Sequence, residues 1–117
     1  MPDALSSLAP RSAAHALVMA VVTEGRTLAE VHPRPFTALP PDGQARATRL
    51  AVACFRHHGR ADHLLRAPMR KAPPEIVLWA LRLAVVEMGT TGAPAHGVIN
   101  DTVELLNRAA PKFAGLA

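Results

Sequence analysis

The chain has 117 residues, half of them hydrophobic, and a formal net charge of +4. That length fits one domain able to bury roughly two thirds of its unfolded surface, and that apolar content excludes general disorder. A single cysteine, Cys54, excludes an internal disulfide and a multi-cysteine zinc site. The longest apolar stretch is interrupted by Arg82 and Glu87, so no segment reads as a membrane span. Met1–Pro10 lacks the basic and apolar regions of a secretory signal, and a reducing cytoplasm is the expected setting. Aromatic residues are few: Phe36, Phe55, Phe113 and Trp79, with no tyrosine. The core must therefore be aliphatic, and a platform of aromatic side chains for stacking single-stranded bases is not expected.

Strand alternation is rare and proline clusters separate helically periodic runs, so the pattern is all-α. Residues 1–9 read as a flexible lead-in. A first helix is expected over Arg11–Glu24, with Ala14, Leu17, Val18 and Val21 on one face and Gly25 placed to end it. Thr27 is suited to cap a short helix over Leu28–Val31. His32-Pro33-Arg34-Pro35 forbids its continuation, leaving a connector to Gly43 with Phe36 and Leu39 as anchors.

A third helix should run from Pro41 or Asp42 to about His58, with Gly59 ending it. Ala47, Leu50, Ala51, Cys54 and Phe55 form its apolar face, and Arg46, Arg49 and Arg56 fall opposite. A short fourth helix is expected from Ala61 to about Arg66. A fifth, about Pro74–Met88, is apolar on nearly every side and reads as central, with Gly89 closing it. A sixth should run from Pro94 to about Arg108, burying Val98, Ile99, Val103, Leu105 and Leu106. Asp101 falls near its solvent boundary. Pro111 then opens a last segment, Lys112–Ala117.

The positive charge is concentrated. Residues 44–71 hold Arg46, Arg49, Arg56, Arg60, Arg66, Arg70 and Lys71 against Asp62 alone. Such a patch favours polyanions, RNA first. Cys54, His57, His58 and His63 are the nearest approach to a metal set, but they divide between the apolar and basic faces, and no metal is expected. Cys54 lies mid-helix among small and apolar residues, the setting of a packed side chain rather than a nucleophile. No glycine-rich strand-to-helix turn for a nucleotide cofactor is present. Arg82 must find a partner inside its apolar helix, with Asp62, Glu87, Asp101 and Glu104 in reach of the expectation.

Several of these segments carry a resemblance. They are Arg11 with Ala14, Gly25-Arg26-Thr27-Leu28, Arg56 with Asp62, Leu81-Arg82-Leu83-Ala84 leading to Glu87, and Pro94-Ala95-His96 leading to Val103-Glu104-Leu105. In that order and spacing the chain resembles the NusB-like RNA-associated domain. It looks most like the version at the N-terminus of Sun/Fmu-type ribosomal RNA cytosine-5 methyltransferases. The resemblance covers about Arg11 to the end. It departs where the family has Glu in place of Asp101, and where the family's Asn-Ala-Val-Leu-Arg stretch would follow Lys112–Ala117. A domain cut from a longer methyltransferase is the expectation.

The resemblance implies an all-α bundle of about six or seven helices over residues 10–117. It implies a non-catalytic domain that helps position small-subunit ribosomal RNA. S-adenosylmethionine and the attacking thiolate would belong to a separate methyltransferase domain, a partner in the same parent chain. The family's RNA contact lies at the edge of the first helix, where only Arg11 stands. The phosphate candidates are then Arg11, Arg46, Arg49, Arg60, Arg66, Arg70 and Lys71, and Arg56, Asp62, Arg82 and Asp101 are assigned to structure. The alternative is a protein-interaction domain without RNA contact, docking the methyltransferase domain or a transcription antitermination or ribosomal partner.

Overall fold

The computed structural model describes residues 3–31 (side chains from Leu8), 39–66, 71 and 73–110. Among them the fold is all-α, with five helices rather than six or seven: α1 (Asp3–Glu24), α2 (Leu28–Val31), α3 (Pro41–Arg66), α4 (Glu75–Thr91) and α5 (Ala95–Ala109). Phe36, Arg70 and the segment Lys112–Ala117 lie outside the described residues.

α1 begins at Asp3, so most of the stretch expected as a lead-in is helical. Pro10 inside it has no N–H to donate to the helix ladder. Burial compensates on both sides of that proline: Leu8 packs with Val77, Ala80, Leu105 and Leu106, while Ala13, Ala14, Leu17 and Val18 enter the larger core. Gly25, at φ +66°, ends α1 in the left-handed conformation, its N–H bonded to the Val21 carbonyl at 3.0 Å. α2 is held by a reciprocal cap. Thr27 N–H donates to Glu30 Oε1 at 3.0 Å, and Glu30 N–H donates to Thr27 Oγ1 at 3.3 Å. This seats the fully buried Val31 against α1.

The third and fourth expected helices are one. α3 runs unbroken through Gly59, whose φ is not positive. Ala61 is buried beyond it and Asp62 is tied to α4, so packing on both sides of the glycine outweighs its cost of about 1 kcal/mol. α4 likewise passes Gly89 and stops at Gly92, φ +70° and left-handed. α1, α3, α4 and α5 form a closed ring of neighbours, with α1 also touching α4 and α2. α4 therefore meets three helices, which accounts for an apolar sequence on nearly every side. Two cores result. Ala14, Leu17, Val18, Val31, Ala47, Ala51, Cys54 and Trp79 form part of one, and Leu8, Val77, Ala80, Leu105 and Leu106 the other.

Candidate nucleic-acid interface

The inner face of α3 buries Ala47, Leu50, Ala51, Cys54 and Ala61. That commitment fixes the outer face. Arg49, Arg56 and Arg60 are all exposed and recur at spacings of seven and four residues, which align on one line of a helix. His63 continues the line. At 1.5 Å per residue the three arginines span about 16 Å. None of the three has an ion pair among the described residues. Arg66, the last residue of α3, is exposed, as is Lys71. Arg56, expected to be structural, belongs to this ridge. Its spacing from Arg49 and Arg60 was the signal for that, and the resemblance pointed elsewhere.

Arg11 does not belong to it. Its exposure is 8%, and its guanidinium is committed inside the bundle. Nε donates to Glu87 Oε1 at 2.8 Å and Nη2 to Oε2 at 2.6 Å, a two-pronged fork, and Nη1 donates to Asp101 Oδ2. A phosphate contact from Arg11 is therefore corrected to an internal one. Hydrogen bonding to Glu87 raises the guanidinium pKa further, against the effect of burial. Asp101, expected near the solvent boundary, is buried because α5 presents that side to α1. Arg46 stands between the two systems: half-exposed, its Nη2 lies 3.5 Å from Glu87 Oε2. Its charge is shared with the buried carboxylate, so it is a weaker phosphate donor than its neighbours on the ridge.

A second ion pair clamps α3 to α4. Arg82 donates through Nε and Nη2 to Asp62 Oδ1 and Oδ2, at 2.6 and 2.9 Å. The Arg82 guanidinium carbon also sits 4.3 Å from the Trp79 ring centre, a cation–π contact. Those hydrogen bonds hold the Asp62 carboxyl below its usual range. Trp79 further meets Phe55 and His58 and donates its indole N–H to Glu75 Oε2 at 2.8 Å.

Cys54 is fully buried, and burial pushes its thiol up to about 12. A thiol so held supplies negligible thiolate near neutrality. Among the described residues no three metal-ligating side chains are grouped for an ion, and no helix is long and apolar enough to cross a membrane.

The chemistry on display is thus electrostatic: an all-α bundle with Glu87 and Asp101 buried against Arg11 and a line of guanidinium groups outside on α3. The chain belongs to the NusB family, whose model matches residues 8–116. That family's domain is generally an RNA-binding and antitermination fold, with RNA or protein partners. No curated protein and no solved structure matches the chain.

Proposed function

We propose that this chain is the RNA-binding and positioning domain of an S-adenosylmethionine-dependent small-subunit ribosomal RNA cytosine-5 methyltransferase, itself non-catalytic. The observation that carries the RNA reading is the ridge of Arg49, Arg56 and Arg60, exposed and in line on α3. Guanidinium groups so placed neutralise successive phosphates and fix the register of an RNA without reading its bases. The methyltransferase reading rests on the resemblance of the Leu81–Glu87 and Pro94–Leu105 segments to the Sun/Fmu-type domain. Methyl transfer to cytosine then falls to a separate domain that carries the cofactor and the attacking thiolate. The buried, protonated Cys54 supports that division of labour.

The test is an amide-shift titration with a small-subunit ribosomal RNA fragment at low and at high salt. Shifts should localise to the exposed side of α3 and shrink as salt rises. An unchanged spectrum at low salt would end the RNA reading. The domain would then be a protein-docking module, with the methyltransferase domain as the next ligand to titrate.

A further inference from the structure

Beside the arginine ridge, α3 and α4 enclose a groove of ≈140 Å³. Leu64, 59% exposed, Val85 and Val86 give it apolar walls. Gly89 lines it without a side chain, and a Cβ built there would meet nothing within 4 Å. Glycine inside a helix is a cost in stability, and at this position what it leaves is open space. The polar edge is formed by His57 and Thr90. The Thr90 hydroxyl donates to the Val86 carbonyl at 2.7 Å, so what its oxygen has left to offer is acceptor capacity. Arg60 lines the same groove while standing on the ridge. Among the described residues no carboxylate lines it.

Size and charge together define the occupant. An apolar cavity of about 150 Å³ takes up a benzene ring, so a groove of this volume has room for a single six-membered ring. An acceptor at the edge suits a ring N–H or amino group, and Arg60 suits an anion joined to that ring. An unpaired base splayed from its stack, with its phosphate held outside, has this composition. We propose that the groove between α3 and α4 receives one unpaired pyrimidine of the RNA whose phosphates lie along Arg49, Arg56 and Arg60. The proposal rests on the RNA-binding reading above and adds to it a preference for unpaired, single-ring bases. Aliphatic walls here take the part that aromatic platforms play in other single-strand binders.

The test uses three RNAs with a common stem: one closed by a uridine loop carrying 5-fluorouridine, one by an adenosine loop, and one fully paired. Each is titrated into the full chain and into its Gly89→Leu variant, with fluorescence anisotropy and ¹⁹F NMR as readouts. The new side chain enters open space within α4, so the melting temperature should hold or rise. The wild-type chain should bind the uridine loop about tenfold more tightly than the paired stem and move the fluorine resonance. The adenosine loop should bind as the paired stem does. Gly89→Leu should lose the preference and the fluorine shift, yet keep salt-sensitive binding to the stem. Equal binding of the uridine loop by both proteins, with the fluorine unmoved, overturns the groove proposal and leaves the ridge intact. Equal binding of the uridine and adenosine loops by the wild-type chain overturns the single-ring preference. Binding of none of the three RNAs at low salt removes the RNA-binding reading, and the groove proposal with it.

Discussion

Arg11 shows how one side chain changes meaning with burial. At the edge of an isolated helix it is a free cation; in the bundle it is the counter-charge for Glu87 and Asp101. Arg11→Ala would take the shared buried counter-charge from those two carboxylates, and breaking a buried ion pair costs about 3–5 kcal/mol. Chemical denaturation should register a loss of that size; a loss below about 1 kcal/mol, the scale of surface changes, would show the network to be dispensable. Arg46→Glu should also destabilise, since it brings a third carboxylate toward Glu87. His15 predicts a pH response. It is buried, with Nε2 2.8 Å from the Ile76 carbonyl. Burial lowers its pKa, and the carbonyl contact opposes this only in part. The unfolded chain takes up a proton at about pH 6.5 that the folded chain refuses. The His15 contribution is therefore full above that pH and falls away as pH drops from it toward the lower folded value. Asp62, held low by Arg82, titrates below this window. Between pH values of about 7.5 and 5.5 the wild-type melting temperature should fall further than that of His15→Gln, which keeps an N–H donor and does not titrate. Parallel losses in the two proteins would place the acid sensitivity elsewhere.

At the scale of the element, local signals were legible and long-range ones were not. The Thr27 cap, α2, the helical stop at Gly25 and the start of α5 after Pro94 all follow from dihedral preference and hydrogen-bonding capacity, which neighbouring residues determine. Gly59 and Gly89 read as stops by the same logic and are not, because the partners that carry the helices past them lie on other elements. Ala61 is buried near the end of α3 and Asp62 is tied to Arg82 of α4; Asp62 was one of four carboxylates the sequence offered to Arg82, and no spacing within α3 chooses it among them. Asp101 failed for a related reason: a wheel of α5 alone does not know which side α1 covers. Within the candidate interface, the basic excess on α3 could be read directly, whereas the withdrawal of Arg11 and the groove beside Gly89 required the packing of one helix on another. The continuity of α3 has a direct consequence. Gly59→Ala adds a Cβ that meets nothing within 4 Å, at a φ that is not positive. It should stabilise the protein by about 1 kcal/mol, seen as a higher denaturation midpoint. A lower midpoint would mean that α3 breaks at Gly59 in solution.

At the scale of the whole molecule, three carboxylates near the arginine line are already engaged by other cations. Glu87 and Asp101 lie inside with Arg11, and Asp62 is taken by Arg82 at the α3–α4 contact. The line of Arg49, Arg56 and Arg60 is left on the outside with no carboxylate paired to it among the described residues. Within a modest net charge of +4 this line is a local concentration of positive charge, and the affinity it generates should depend on salt through the counterions that each phosphate contact releases. Three contacts to a single strand correspond to a slope of about −2 in log K against log salt. Replacing Arg49, Arg56 and Arg60 together by alanine should flatten the slope by about that amount. Because none of the three is engaged in the core, each change should cost within about 0.5 kcal/mol of stability. A flattened slope with unchanged melting assigns these side chains to RNA. An unchanged slope would move the electrostatic contact off α3. A flattened slope with a large melting loss would mean that the ridge holds the bundle together, since disruption of the fold would then account for the lost binding.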